Sequence, residues 1–554
     1  MAQYEADVVI VGAGTAGCVL AGRLSEDAGL RVLLLEAGGP DRNIWIRVPG
    51  GVKKTIGNPK LDWCISTEPE SGMKGRRMPL PRGKVLGGTG ALNGMTYIRG
   101  NPRDYDRWRD SGNEGWGWSD VLPYFRRAES NVRGADKFHG DSGPLGISDN
   151  PHDRINDAFL QAAKETGYPL NNDFNGPYQE GAGYYQKMIL RGRRSCGADA
   201  YLHPAMKRPN LQVLTSAHAT RILFEGRRAI GVEFKRGAET HSATARRELV
   251  VSGGSYHSPH LLQLSGLGPA ALVKRHGVAL VADMPGVGSN LQDHLQVRLL
   301  LRCTQPITVN DILASPLRLA GEVARYALFH TGMLAAGLFR TGLFACSSAS
   351  PAGWPDLQLF FTAIGYNSVN EPPLPFSSFT ISVCLVRPTS RGRVEIGSSD
   401  PFALPKVHPN YLDTEYDRGA MIDGFKIWRK LLAQPSLAPY VAEELMPGLA
   451  CQTDAQILEH VRRIGGTVHH PVGSCSMGKD GQAVVDARLR VRGIGGLRVV
   501  DGSNALCLRR VRTVAAVRRG PCGRLASQAG PRGGRLCGGR RGRPDGPGVR
   551  RAVE

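Results

Sequence analysis

The sequence predicts an α/β fold, and three observations in its first 39 residues support that prediction. An apolar run, Val8 to Val11, is short enough to be a buried strand. A G-x-G-x-x-G turn follows it and leads into an Ala- and Leu-rich segment that suits a helix to about Leu24. A second apolar run, residues 31–35, ends at an acid, Glu36. The glycines of the turn are Gly12, Gly14 and Gly17.

Each part of this unit has a chemical role in holding a dinucleotide. The first glycine permits a tight turn, the second lets a pyrophosphate approach the backbone, and the third lets helix and strand pack closely. The helix N-terminus offers N–H groups and a partial positive charge to the phosphates. Glu36, nineteen residues after Gly17, is placed to accept hydrogen bonds from the adenosine ribose. The order of these parts predicts a Rossmann-type dinucleotide site.

Length and composition are those of a large enzyme. At 554 residues the chain is too long for one hydrophobic core, so two or more domains are expected. Hydrophobic content of 41% and charged content of 21% are ordinary for a globular protein. No uncharged apolar stretch reaches the roughly 18 residues that predict a membrane span.

Two further features predict a cytoplasmic protein. The N-terminus carries Glu5 and Asp7 and has no Lys or Arg before Arg23, which is unlike a secretory signal. The 11 cysteines include no C-x-x-C pair, which favours reduced thiols. A position at the inner face of the membrane stays open.

The formal charge of +21 is unevenly distributed. Residues 507–554 hold 13 Arg and 10 Gly but no Lys, and contribute +11 of the total. The remaining basic excess is spread without an obvious cluster, so nucleic acid is not expected as a partner. Such an excess can still attract anionic substrates or lipid headgroups.

A second informative stretch runs from Pro81 to Gly100. Glycines between basic residues and small residues let backbone amides approach a flat or anionic ligand. Further blocks follow at residues 253–269, 284–295 and 467–478, and shorter ones at residues 112–125, 193–204 and 497–503.

Taken together and in this order, the blocks resemble the glucose–methanol–choline (GMC) family of flavin oxidoreductases. The resemblance extends over about residues 5–503. Within the family, the spacing is most similar to bacterial alcohol dehydrogenases of the choline-dehydrogenase type.

The resemblance implies that the dinucleotide is FAD. The first unit would hold its pyrophosphate and ribose, the block from Gly87 to Gly94 would lie against the isoalloxazine ring, and the backbone at Ala219 would contact the adenine. Some members attach FAD through a histidine in this block, but the chain has Ala91-Leu92-Asn93 there, so non-covalent FAD is expected. The residues implied beyond the first unit are Gly87, Gly88, Asn93, Gly94, Ala219 and Asp501.

The chemistry implied by the resemblance centres on His469-His470-Pro471. Oxidising an alcohol requires removal of the hydroxyl proton as hydride leaves the carbon, and histidine suits that role because its pKa lies near working pH. The residue before Pro471 is the family's catalytic base, which assigns the role to His470. His469 would tune its neighbour or pack beside it, and His294 is expected to be structural. No metal is expected, because no ligand-spaced His, Cys or Asp cluster appears.

The blocks also predict two interleaved domains. A Rossmann-type FAD-binding domain would take residues 1–150, 200–300 and 462–503. An α+β substrate domain, with an antiparallel sheet covered by helices, would take residues 151–199 and 301–461. Its predicted helices and strands are Leu317 to Phe329, Tyr416 to Leu432, Asp356 to Thr362 and Phe379 to Val386.

Residues 504–554 depart from the family, whose members continue here with an Asn-rich motif that supplies a second catalytic side chain. The Arg- and Gly-rich composition predicts disorder. The abrupt change resembles translation in a shifted reading frame, which resequencing of the locus would decide. A genuine tail that binds an acidic partner is the alternative.

Three functions stay open from the sequence. The first is an FAD-dependent dehydrogenase of a primary alcohol, either aliphatic or choline, that passes electrons to a quinone or another non-NAD acceptor. The second is an oxidase or lyase on the same scaffold, and the third is a product impaired by the altered C-terminus. Peripheral membrane association would suit a quinone acceptor, although nothing in the sequence requires it.

Overall fold

The computed structural model describes residues 3–367 and 371–505, and within them two seven-stranded sheets dominate. Of the predicted aberrant segment, only Asn504 and Ala505 are described, and both are buried in the folded part. The predicted disorder of residues 506–554 concerns residues outside the described ones.

The first sheet is mainly parallel. Its buried strands carry apolar residues on both faces, as in Val32–Leu35, which is typical of parallel strands covered by other elements. The strands, in spatial order, are Leu211–Leu214, Val32–Leu35, Gln3–Val11, Glu239–Val251, Arg228–Arg236 and His218–Glu225, and Leu497–Val499 also pairs with Glu239–Val251. The last two strands of this order run antiparallel to their neighbours, and the other pairs are parallel. The glycine turn therefore lies at the carboxyl edge of a parallel sheet.

The second sheet is antiparallel. Its strands, in spatial order, are Val441–Met446, Leu295–Cys303, Ser378–Leu385, Leu357–Thr362, Thr341–Ala345 and Gly181–Tyr184, and Gly466–Thr467 also pairs with Leu295–Cys303. Side chains of one face pack in a core with Phe159 and Trp428, which helices supply. The other face packs in a smaller core with Ile98 and Tyr185. Since both faces are covered, every residue of Ser378–Leu385 is buried.

The helices, α1 to α13 in chain order, are Thr15–Leu24, Ile44–Arg47, Val52–Thr55, Pro102–Asp110, Trp118–Ala128, Arg154–Glu165, His203–Ala205, Gly254–Leu264, Ala270–Arg275, Val309–Leu313, Pro316–Phe329, Glu415–Leu432 and Asp454–Ile464. Shorter strands pair outside the two sheets at Ile65–Ser66, Pro79–Leu80, Thr96–Tyr97, Glu129–Asn131, Leu145–Ile147, Gln186–Lys187, Ile189–Leu190, Arg193–Arg194, Leu267–Gly268, Ala282–Asp283, Arg393–Glu395 and Lys406–His408. Side-chain caps fix several helix starts; the Thr414 hydroxyl, for example, accepts from the backbone N–H of Asp417 at the start of α12.

These sheets confirm the predicted α/β class, a Rossmann-type sheet combined with an antiparallel sheet covered by helices. The division into two domains stays a prediction; Leu295–Cys303, which reaches into the range predicted for the first domain, lies in the second sheet. None of the helices within residues 3–367 and 371–505 has the length and apolar character of a membrane span.

Candidate active site

A cavity of about 250 Å³ opens where the strands ending at Val11, Leu35 and Val251 reach the edge of the first sheet. Ligands of open α/β sheets bind at this carboxyl edge. The predicted site residues that line the cavity are Gly12, Gly14, Glu36, Gly88, Ala219 and Asp501. The predicted site residues that are not among its lining are Gly17, Gly87, Asn93, Gly94 and His470.

The three glycines of the first turn are required for different reasons. Gly12 has a φ of +100°, and a Cβ there would lie 2.6 Å from the carbonyl oxygen of Ser252. A Cβ at Gly17 would overlap the carbonyl oxygen of Gly12, so helix α1 could not pack so closely on the strand. A Cβ at Gly14 would instead meet open space beside the cavity. This is the arrangement that a pyrophosphate approaching the backbone requires.

Glu36 is buried at the end of the second strand, with its carboxylate turned to the glycine turn. Its two oxygens accept hydrogen bonds from the backbone N–H groups of Ala13 and Gly38, each at 2.8 Å. Burial raises the pKa of Glu36 to about 7, although both hydrogen bonds and Lys84 oppose that rise. Each oxygen retains a second lone pair that can accept from a ribose hydroxyl.

The block from Gly87 to Gly94 packs directly on the first glycine turn. The backbone N–H of Gly87 donates to the carbonyl of Ala13 at 2.8 Å. Gly88, with a φ of +54°, approaches so closely that its Cβ would lie 2.7 Å from the Cα of Gly14. The two glycine-rich motifs, far apart in sequence, therefore form one continuous backbone surface.

Asn93 and Gly94 lie at the other end of this block. The side-chain oxygen of Asn93 accepts from the backbone N–H of Met95 at 2.9 Å and from Arg194 Nη1 at 3.0 Å. These contacts fix the orientation of the amide. A Cβ at Gly94 would lie 3.3 Å from the ring of Phe339, so this end is closely packed against the loop before the strand Thr341–Ala345.

Helix α8 contributes polar side chains to the cavity that sequence reasoning missed. The Tyr256 hydroxyl and the Nε2 atoms of His257 and His260 are buried and make no hydrogen bond within the described part of the chain. Burial lowers the pKa of His260 to about 4 and that of His257 well below its usual value, so both imidazoles are neutral at pH 7. The ring of Trp63 lies 4.3 Å from that of His257, centroid to centroid.

These orphaned polar atoms fit a large polar ligand, since buried donors and acceptors are normally satisfied. The sequence distinguishes the block from Gly253 to Pro269 only by its resemblance to a family motif. Histidine and tyrosine at its helical positions were a signal that could have been used.

Asp501 is engaged by the chain's own donors. Its carboxylate accepts from the backbone N–H of Gly254 at 2.8 Å and from Ser258 Oγ at 2.5 Å, at the start of α8. It also accepts from the backbone N–H of Ser503 at 2.8 Å. Asp501 therefore holds the start of α8 against the last described turn of the chain while it lines the cavity.

His470 is fixed through the backbone on both sides. Its own N–H donates to Asp293 Oδ1 at 2.8 Å, and the carbonyl of the next residue, Pro471, accepts from Ser255 Oγ at 2.6 Å. Asp293 is buried and also accepts from the Tyr411 hydroxyl at 2.6 Å and from the Thr467 hydroxyl. Pro471 lines the cavity, so His470 stands next to its wall.

His294, which is expected to be structural, contacts His470. The two Nδ1 atoms lie 3.1 Å apart, and His294 Nε2 lies 3.0 Å from the carbonyl oxygen of Val386. A carbonyl only accepts, so neutral His294 donates from Nε2 and accepts at Nδ1. Neutral His470 then donates from Nδ1 and carries its lone pair on Nε2. Because 176 residues separate the two histidines, no local sequence pattern indicates this contact.

His469 adopts a φ of +65°. Its carbonyl accepts from Arg82 Nη2 at 2.7 Å, and its N–H donates to Thr467 Oγ1 at 2.7 Å. Burial, with Arg82 nearby, lowers the pKa of His469 to about 3, so this imidazole stays neutral. Such a residue suits packing and backbone positioning better than proton transfer.

The fold also assembles a cluster that sequence spacing did not reveal. Asp41, Asp199 and His203 bring one potential ligand atom each within 4.8 Å of one another. Arg47 forms ion pairs with both carboxylates, and His203 Nε2 lies 3.1 Å from Asp41 Oδ1. The guanidinium therefore already supplies the positive charge that a cation would bring.

Comparisons with known proteins agree with this geometry. Two family models described as GMC oxidoreductase match residues 6–296 and 388–515, so the match continues beyond residue 503, where the sequence resemblance was expected to end. An oxygen-dependent choline dehydrogenase of Stenotrophomonas maltophilia is 44% identical over 90% of both chains. The mitochondrial choline dehydrogenase of Mus musculus is 41% identical over 90% of this chain and 85% of its own. The crystal structure of pyridoxine 4-oxidase from Mesorbium loti superposes with a TM-score of 0.83 at 32% identity and covers 92% of this chain and 96% of its own.

Proposed function

The chain belongs to the GMC oxidoreductase family, and from that premise we propose that it oxidises the CH–OH group of a primary alcohol, choline or an aliphatic alcohol, to the aldehyde in an FAD-dependent reaction. The observation that supports this reaction most directly is the position of His470 next to Pro471, which lines the cavity at the glycine turn. The relatives of this chain include proteins named choline dehydrogenases from bacteria and mouse.

The residues present fit FAD as the cofactor. Gly12, Gly14 and Gly88 would lie along its pyrophosphate, Glu36 would accept from its ribose, and the backbone at Ala219 would face its adenine. Asn93 and Gly94 would stand at the isoalloxazine end, and Asp501 lines the cavity. Residues 91–93 hold no nucleophile, which supports non-covalent binding. When bound, FAD supplies the acceptor for the hydride that leaves the alcohol carbon.

His470 would act as the general base. In the neutral tautomer set by His294, Nε2 takes the hydroxyl proton of the alcohol while Nδ1 keeps its hydrogen bond. The backbone bond to Asp293 holds the main chain of His470, and the contact with His294 orients its ring. The proton would later leave from Nε2 to solvent.

The electron acceptor separates two versions of this function. A quinone or another non-NAD acceptor makes the protein a dehydrogenase, for which peripheral membrane association is suitable; a cytoplasmic location stays a prediction. Oxygen as acceptor makes it an oxidase. The oxygen-dependent name of one relative and the pyridoxine 4-oxidase structure favour that second candidate.

An anaerobic visible spectrum of the purified full chain tests the proposal. We expect a bound flavin band that is bleached by choline or by a medium-chain primary alcohol, and oxygen consumption without an added acceptor would then identify an oxidase. A flavin band that neither compound bleaches would contradict the substrate class. A colourless protein that does not take up added FAD would contradict the cofactor and favour an impaired product.

A further inference from the structure

Lys53 and Arg298 form a pair of cations beside one aromatic ring. Lys53 Nζ lies 4.4 Å from the centroid of the Tyr366 ring, and Arg298 Cζ lies 5.1 Å from the same centroid. Neither cation forms an ion pair with a carboxylate within residues 3–367 and 371–505. Desolvation and the charge of Arg298 lower the pKa of Lys53 below its usual value. An anion bound beside both residues would remove this repulsion.

Both cations offer hydrogen-bond donors to such an anion. Arg298 Nη1 is buried and makes no hydrogen bond within the described part of the chain. Lys53 is exposed and donates to the backbone carbonyl of Glu371 at 3.1 Å, and its ammonium carries two further hydrogens. A buried guanidinium nitrogen without a partner is unusual, because buried polar groups are normally hydrogen-bonded. The pair is suited to a carboxylate, whose two oxygens can accept from both residues.

Arg298 lies on the same face of the second sheet as His294. Side chains alternate along a strand, and three alternate residues pack in the helix-covered core: Leu295, Val297 and Leu299. His294, the residue before this strand, and Arg298 therefore lie on the opposite face, where His294 contacts His470. Four residues of a strand rise about 13 Å, so the cation pair lies about that far along the sheet from the candidate base.

The same face carries apolar side chains. Phe360 is buried in the smaller core, and Phe339 and Val468 pack against that core as half-buried residues. Val468 precedes His470 by two residues, and Phe360 is in register with Arg298 across one intervening strand. The face therefore offers apolar contacts near the candidate base and positive charge farther along.

We propose that Lys53 and Arg298 bind the carboxylate of an ω-hydroxy carboxylate whose hydroxyl group is oxidised at His470. The proposal names a substrate class for the proposed function and rests on that function. About ten extended carbons, joined by bonds of about 1.5 Å, span the distance of about 13 Å. Choline is the poorer substrate, because both cations would repel its quaternary ammonium group.

Anaerobic stopped-flow bleaching of the full-length holoenzyme tests the proposal with ω-hydroxydecanoate, its methyl ester and choline. The ester keeps the chain and the hydroxyl group but lacks the charge, so we expect the acid to have an apparent Kd at least about tenfold lower. Lys53→Gln should raise the Kd of the acid about tenfold, and Lys53→Gln/Arg298→Gln should raise it about 100-fold and abolish the preference for the acid over the ester. Lys54→Gln, at the neighbouring exposed lysine, is the matched control and should leave that preference unchanged.

Calorimetric titration with decanoate separates the carboxylate site from the proposed function. Decanoate carries the carboxylate and no hydroxyl group, so its binding requires no turnover, and Lys53→Gln should weaken that binding about tenfold. If no alcohol bleaches the flavin while decanoate binding depends on Lys53, the proposed function fails and the carboxylate site stands.

Three results would overturn the carboxylate site. They are equal apparent Kd values for the acid and the ester, an equal loss in Lys54→Gln and Lys53→Gln, and absence of decanoate binding by the wild type. Bleaching by any of the alcohols would leave the proposed function standing in each case. Every variant is first checked for its flavin band and its thermal midpoint, and if the double variant does not fold, Lys53→Gln alone carries the test.

Discussion

The two ends of the candidate active site are built from different parts of the chain. At the dinucleotide end, the wall is backbone: Gly12 and Gly14 from the first motif, with Gly88 packed on them. At the histidine end, His470 is held by side chains, of which Asp293 and His294 are far away in sequence. The dinucleotide end requires positions without side chains, whereas the histidine end requires hydrogen bonds between side chains.

This difference explains where substitutions should act. A Cβ at the dinucleotide end changes the fold or excludes a ligand, because it occupies space. A truncation at the histidine end leaves the space intact and removes a proton acceptor or its orientation. The following predictions test that contrast, from the largest effect to the smallest.

His470→Ala should abolish most of the chemistry and leave cofactor binding unchanged. General acid–base catalysis contributes about 10²–10⁴-fold, so the rate of flavin bleaching by substrate should fall within that range. Stopped-flow absorbance measures it. His469→Asn is the matched control, because asparagine tolerates the positive φ of that position and the neutral His469 ring has no assigned role in proton transfer. Equal losses in both variants would show that the assignment of the base is wrong.

Gly17→Ala and Gly14→Ala should separate fold from ligand at the dinucleotide end. A Cβ at Gly17 overlaps the Gly12 carbonyl, so we expect a loss of about 2–4 kcal/mol in the free energy of unfolding. A Cβ at Gly14 meets open space, so the apoprotein should keep its stability while FAD affinity falls about tenfold or more.

Thermal denaturation of both apoproteins and flavin fluorescence titration of Gly14→Ala measure these effects. If Gly14→Ala binds FAD as tightly as the wild type does, the pyrophosphate does not lie against this turn.

His294→Leu should lower kcat by about tenfold to 100-fold, a part of the acid–base contribution, with little change in KM. The physical reason is that leucine cannot accept the Nδ1 hydrogen of His470, so the tautomer with its lone pair on Nε2 is no longer selected. His294→Asn should recover most of the loss, since its side-chain oxygen can accept in place of Nδ1 and its NH₂ can donate to Val386. A failure of asparagine to rescue, with both variants normally folded, would leave His294 with only a packing role.

The sequence predicted the fold better than the site. Local patterns placed the helices Pro316–Phe329 and Glu415–Leu432 to within one residue at each end, because apolar spacing and caps are encoded locally. The same pattern does not predict that no residue of α11 is buried, because an amphipathic pattern does not indicate whether another element covers the apolar face. The contact of His294 with His470 depends on the second sheet, which brings the two segments together. The glycine motifs could be predicted from the sequence because the local backbone geometry of the turn requires glycine. A contact between two distant side chains depends on where the fold places both residues, which the sequence pattern does not show.

The smallest effect concerns Glu36, the acid expected to accept hydrogen bonds from the ribose at the dinucleotide end. Burial raises its pKa from 4.5 to about 7, so the folded apoprotein holds this proton more tightly than the unfolded chain does. Its contribution to stability is therefore fully present below pH 4.5 and is lost as the pH rises towards 7. Ribose hydroxyls donate to the ionised form, so FAD binding should release a proton and tighten, by at most about tenfold per pH unit, as the pH rises towards about 7.

Fluorescence titrations of FAD across this pH range, with Glu36→Gln beside the wild type, test the assignment. The wild-type Kd should fall with rising pH, and the variant should show a flat profile. Burial lowers the pKa of His260 to about 4 and that of His257 well below its usual value, so neither supplies a slope in this window. A slope that persists in Glu36→Gln would assign the proton to another group, and the dinucleotide end would then depend on side chains as much as the histidine end does.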